Sequence, residues 1–213
     1  MLAKPDVDDD YLEPWAVQPL ASGFEIEDAR LESAELTDLR APGGRIIRCR
    51  LERVALTRSR LRSLNLTDVI LHGVEASGGD WTGGRLRRVV LDGCRLAGLQ
   101  LAEIEGDDVV FRDCRLELAN FRGARLRTVT FEGCVLDEAD FGAVTMREVR
   151  FDGCELRRTE WEAAKLAHVD FRGSELEPAG DVAGLRGGII DPVQLAGLAP
   201  LLAGAAGIVV KDG

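Results

Sequence analysis

Cysteine recurs every 20 residues in the middle of this chain, at Cys94, Cys114, Cys134 and Cys154, with a fifth at Cys49. Thiolates and the two histidines, His72 and His168, are the side chains here best suited to ligate a soft metal or to attack as nucleophiles. A metal needs such ligands converging on one point. The strict spacing instead lays the thiols out as a line, and neither histidine stands beside it. Acid–base chemistry needs carboxylates tuned by burial or close pairing. The pairs Asp107/Asp108 and Asp137/Glu138 fall on positions that the repeat turns to solvent, where hydration is their expected role. No Ser-His-Asp set, phosphate-binding loop or zinc motif can be written from the chain. The sequence predicts no catalytic residue, no metal and no cofactor. The cysteines are expected to be reduced core residues, which points to a reducing compartment.

One register must position all of these residues. From Leu31 to Leu176 every fifth residue is large and apolar at 27 of 30 positions, the departures being Ala41, Ala76 and Gly106. The residue two places earlier is mostly small, as at Ala29, Cys49, Val69 and Ser174. None of these 60 positions is charged, although charged residues make up 30% of the chain. A helix would repeat at about 3.6 residues and an ordinary strand at about 2; a period of five fits neither. Two residues of each five point inward and three face water. One such unit cannot bury its apolar side chain alone, so units must wind and stack as a solenoid. The cysteines, and Phe111, Phe131, Phe151 and Phe171, repeat at 20 residues. Four units therefore complete a coil, and like residues stack about 4.8 Å apart. The outer columns agree. Arg48, Asp68, Arg88 and Asp108 alternate in sign at that spacing, as do Arg85, Glu105 and Arg125.

The stretches LDGCRL at 91–96, FRDCRL at 111–116, FEGCVL at 131–136 and FDGCEL at 151–156 resemble the pentapeptide-repeat family, and the resemblance spans residues 24–190. It implies an all-β fold, a right-handed quadrilateral parallel β-helix; the period alone gives only a solenoid. Members of the Mfp and Qnr types resemble B-form DNA in width and negative charge, dimerise through a C-terminal helix and bind DNA gyrase in place of DNA. The segment IIDPVQLAGLAPLLAGAAGIVV at 189–210 is similar to the Mfp-type end. The chain departs from these types in two ways. Residues 41–100 carry a net charge of +6, against −8 in each of 1–40 and 101–213, and the register leaves no gap for Qnr-type loops. The resemblance implies a non-catalytic protein-binding scaffold with an unidentified protein partner. The alternative is a DNA mimic that binds DNA gyrase or another topoisomerase, and a purely structural role is a third reading. Direct nucleic-acid binding is not expected.

No stretch of the 213 residues approaches the roughly 18 apolar residues of a membrane span, and MLAKPDVDDDYLEP lacks the apolar core of a secretory leader. A cytoplasmic protein is expected. Residues 1–23 precede the register as an N-terminal extension or cap, with Asp8, Asp9, Asp10 and Glu13 in solvent and Tyr11, Trp15 and Leu20 over the open first coil. Within the solenoid of 24–190, Pro42, Gly43 and Gly44 are expected to bulge. Gly79 and Gly84 should leave room that Trp81 fills, and Gly106 should thin the core. Residues 191–213 form a C-terminal helical segment. Asp191 suits the N-cap and Pro192 the first helical position. Pro200 should kink the helix, and Gly207 suits its C-terminal cap. Leu195, Leu198 and Leu202 lie at i, i+3 and i+7 on one stripe. That stripe is the candidate contact of a homodimer, unless it covers its own last coil.

Overall fold

A computed structural model describes residues 2–16, 18–180 and 182–210. The chain winds into a quadrilateral parallel β-helix followed by one short helix. Six eight-residue strands carry it: Arg45–Glu52, Asn65–His72, Arg85–Asp92, Glu105–Arg112, Arg125–Glu132 and Thr145–Asp152. Each pairs in parallel with the next at an offset of one coil, so that Leu71 meets Leu91 and Phe111 meets Phe131. Each strand turns a corner at its fourth residue and so covers two faces. The other two faces are joined by single bridges, such as Glu75↔Arg95 on the third and Asp80↔Gln100 on the fourth.

The corners are built one way throughout. Every fifth residue from Asp28 to Gly173 has a φ between 48° and 80°. Left-handed backbone costs an L-residue about 1–2 kcal/mol, yet 20 of these 30 corners are not glycine. Stacking holds them: the corner amide donates to the carbonyl of the following coil, as Arg58 N does to Ser77 O at 3.0 Å. The faint signal in the sequence is that glycine or aspartate fills half of the corners.

Inside, the two uncharged columns of the register form one continuous core. Phe121, Phe131, Phe141 and Phe151 are all 0% exposed. Rings one coil apart stack, and rings on adjacent faces meet edge to face, as Phe121 and Phe131 do at 6.0 Å and 88°. Such pairs add to the plain burial of their area.

The glycines correct three expectations. Pro42, Gly43 and Gly44 make no bulge. Gly43 is an ordinary corner at φ 75°, and the Phe24 ring occupies the space of the Gly44 side chain, leaving 2.2 Å for a Cβ. Gly79 and Gly84 are required rather than roomy. A Cβ would lie 3.1 Å from Leu99 Cδ1 at the first and 2.5 Å from Leu64 O at the second. At Gly106 the Leu126 side chain reaches to 3.0 Å of the Cβ position and closes the gap. Trp81 is nonetheless less well served than Trp161. The Trp161 indole donates to Thr159 Oγ1 at 2.9 Å. Gly79 stands at the matching place for Trp81, whose Nε1 is buried without a hydrogen-bond partner among the described residues.

Both ends are closed. Glu13–Pro14 pairs with Ala29–Arg30, and Trp15, Leu20 and Phe24 pack against the core. Tyr11 does not join them; it is 78% exposed. At the other end Gly188–Ile189 pairs with Val169–Asp170 and leads into helix α1, Pro192–Ala205. Pro200 sits inside this single helix and does not split it. Proline loses one amide donor, and at this exposed site water can serve the carbonyl left free.

Candidate interaction surfaces

The five cysteines are free and buried. Each Sγ lies 3.3–3.6 Å from the carbonyl oxygen of the residue 23 positions earlier. The thiol of the next coil, with burial behind it, pushes Cys94 up and Cys114 up to about 12. Cys154, at the end of the ladder, is drawn down by the Cys134 thiol, yet it is only 2% exposed. His72 Nδ1 is 3.9 Å from Asp92, and His168 forms a corner. Among the described residues no three of His, Cys, Asp and Glu are grouped to hold a metal.

The outer charges do stack, with a direction that the sequence left open. Many arginines bond the carboxylate one coil back. Arg48 donates to Asp28 at 2.6 and 2.8 Å and not to Asp68. Arg58 donates to Asp38 at 2.9 and 2.8 Å, and Arg88 Nε donates to Asp68 at 2.6 Å. Arg127 with Asp107, Arg157 with Asp137 and Arg158 with Glu138 follow the same rule. Glu105 is shared between Arg85 and Arg125. Solvent screens pairs as exposed as these, so each adds little to stability; together they leave few free carboxylates along these columns among the described residues.

The N-terminal residues form an arm along one edge of the solenoid. Ala3 N donates to Asp108 Oδ1 at 3.1 Å and Asp6 N donates to Asp68 Oδ1 at 2.9 Å. Three extended residues span about 10 Å, and Asp68 and Asp108 are two coils, about 9.6 Å, apart. The arm is therefore extended along the solenoid axis. Val110 points outward in its strand yet is only 7% exposed, while Leu2, Pro5 and Val7 of the arm are half-buried. Burial works to raise the Asp68 carboxyl, but Arg88 and the Asp6 amide outweigh it and hold it below the ordinary value of 3.8. Asp9 is exposed, as expected, and also accepts two bonds from Arg50, at 2.7 and 2.8 Å.

Helix α1 parts the three leucines of its stripe. Leu198 is 4% exposed and belongs to the core of its own last coil. Leu195 and Leu202 are exposed. The anchor beside Leu198 is Gln194, whose amide donates to Phe171 O at 2.6 Å and Ser174 O at 2.7 Å. Its carbonyl accepts from Asp191 N at 2.9 Å while Asp191 Oδ1 accepts from Val193 N and Gln194 N. This is a capping box, and its Asp-x-x-Gln signature is visible in the sequence. At the other end Ile208 N reaches back to Ala203 O at 2.8 Å around Gly207, the expected left-handed cap. From Pro192 to Val210 there is no charged residue. Val193, Leu195, Leu201, Leu202, Ile208, Val209 and Val210 are all exposed.

A solenoid of stacked five-residue turns, with uncharged inner columns and ladders of charge outside, defines a class of repeat proteins. The model of the pentapeptide repeat region matches residues 104–180, and the register carries the same five-residue unit through the rest of the solenoid. No curated protein matches the chain significantly. Among solved structures it is similar to a trypsin-treated variant of QnrB1, a plasmid-mediated fluoroquinolone resistance protein, at 21% identity over 92% of this chain and 94% of that one, with a TM-score of 0.49. It is also similar to HetL, a pentapeptide repeat protein involved in heterocyst differentiation regulation from the cyanobacterium Nostoc sp. strain PCC 7120. There the identity is 19%, the coverage 81% and 87%, and the TM-score 0.34. A third, Rfr23 from the cyanobacterium Cyanothece 51142, is 12% identical with a TM-score of 0.30.

Proposed function

We propose that this protein is a non-catalytic scaffold that binds another protein through its C-terminal end. The observation that carries this reading is the charge-free stretch from Pro192 to Val210, with seven large aliphatic side chains exposed on it. An apolar surface of this kind, rimmed by polar coils, marks an interaction site. The solenoid supplies rigidity and reach; the helix, anchored by Gln194 and Leu198, presents Leu195 and Leu202 outward. Cross-linking capture from the source cell, run with the intact chain and with a Leu195→Glu, Leu202→Glu variant, tests it. A partner enriched by the first and lost with the second is the expected result. A partner retained by both, or none enriched by either, overturns the reading.

The paired ladders weigh against the alternative of a gyrase-binding DNA mimic. A mimic must present unpaired negative charge at the density of a duplex, about one per 1.7 Å, and here Asp28, Asp38, Asp68, Asp107 and Asp137 are each held by an arginine. In a gyrase supercoiling assay at low salt and micromolar protein, no inhibition is the expected outcome.

A further inference from the structure

The fourth face of the solenoid is electrically antisymmetric about its middle. Its central outward column reads Arg40, Arg60, Asp80, Gln100, Asn120, Asp140, Glu160, stacked without a break by parallel bridges. The corner column beside it reads Asp38, Arg58, Gly78, Gly98, Leu118, Glu138, Arg158, all at positive φ. Arg40 and Arg60 are direct neighbours of like charge, an arrangement that destabilises a sheet. Neither has a carboxylate within ion-pair distance among the described residues, and neither does any arginine reach Glu160. Leu118 is the other anomaly of this face. It is a large aliphatic residue forced into the left-handed region at φ 60° and left 60% exposed.

One operation answers all of these at once. Rotate a second copy by 180° about an axis that lies in this face, along the strand direction, through the row of Gln100. Every row then meets the row equally far on the other side. Arg40 faces Glu160 of the second copy, Arg60 faces Asp140, and Gln100 faces itself. On the corner, Asp38 faces Arg158, Arg58 faces Glu138, and Leu118 faces Gly78. Gly78 belongs to a surface depression of about 380 Å³, bounded also by Arg40, Arg58, Arg60, Asp80 and Gln100. Under this rotation it lies opposite the Leu118 side chain. Glu103, on the far corner, meets its own copy at the exposed rim; this is the single like-charge encounter.

We infer that the protein forms an antiparallel side-by-side homodimer through this fourth face, with a two-fold axis at Gln100. The contact is isologous, so it closes and does not propagate. It satisfies the unpaired arginines by complementary charge and seats Leu118 in the Gly78 hollow. The two C-terminal ends then point in opposite directions, and helix α1 takes no part in self-association.

The experiment is light scattering with sedimentation equilibrium on the full chain, read as a dissociation constant. A dimer at micromolar concentration is expected for the wild type. Arg40→Glu and Glu160→Arg should each weaken it by about tenfold, since each places two like-charge contacts in one dimer. The combined Arg40→Glu, Glu160→Arg variant restores the opposition with reversed sign and should return close to the wild-type value. Leu118→Gly relieves the strained corner, so the fold is kept, and the dimer should weaken. Leu195→Glu, Leu202→Glu should remain dimeric, which separates this interface from the C-terminal surface. A monomeric wild type, an absence of rescue in the combined variant, or a dimer abolished by the helix substitutions overturns the proposal.

Discussion

The rings of Phe131 and Phe151 lie 4.8 Å apart and 3° from parallel. That distance is the spacing of adjacent strands, so the aromatic stack and the sheet ladder enforce the same repeat. Phe131 is 0% exposed and also stacks on Phe111 at 4.8 Å. Phe131→Ala opens a cavity in a narrow core and should cost about 3–5 kcal/mol, measured by denaturant unfolding. A loss below about 1 kcal/mol would place the column outside the core.

Gln194 should be the keystone of the C-terminal cap. Its amide serves the carbonyls of Phe171 and Ser174 in a buried setting. Gln194→Ala takes this donor from the Ser174 carbonyl and leaves that of Phe171 only the Ser174 amide at 3.1 Å, and should cost about 1–3 kcal/mol. Hydrogen exchange should quicken across Pro192–Ala205 while the strands Arg85–Asp92 and Glu105–Arg112 keep their protection.

Asp68 should tie the arm to the solenoid in a pH-dependent way. Its carboxyl is held below the ordinary 3.8 in the folded state. A lowered carboxyl contributes stability above its unfolded value and loses it as pH falls through its folded value. The arm is therefore expected to stay docked at neutral pH and to loosen below about pH 4. Asp68→Asn should speed amide exchange in residues 2–8 already at pH 7, and the acid loosening of the arm should flatten. Unchanged exchange in this variant would show that the Asp68 bond does not hold the arm.

The thiols should be inert. Cys49, Cys94, Cys114, Cys134 and Cys154 are each no more than 2% exposed, and reaction with a disulfide reagent needs an accessible thiolate. In the native protein labelling should follow the rate of unfolding and should involve all five together. Fast labelling of any single thiol, Cys154 included, would show a local opening of the last coils.

Much of this fold was legible in the residues because a repeat converts a local pattern into a long-range one. An offset of 20 in the chain is one strand spacing in space, so the uncharged columns, the aromatic stack and the charge ladders could be read by counting. The cap at Asp191 was legible for the same reason of locality: its bonds span two or three residues. Only the tertiary structure decided what the register does not reach. The left-handed corners at residues such as Arg58 and Leu118 are not preferred by those side chains and are imposed by stacking. The arm, lying outside the repeat, found its course through bonds to Asp68 and Asp108, 62 and 105 residues away. Leu198 was drawn from its stripe because the last coil needed a cover. The antisymmetry of the fourth face is written in the sequence, but it acquires meaning only when the coils place Arg40, Gln100 and Glu160 on one line.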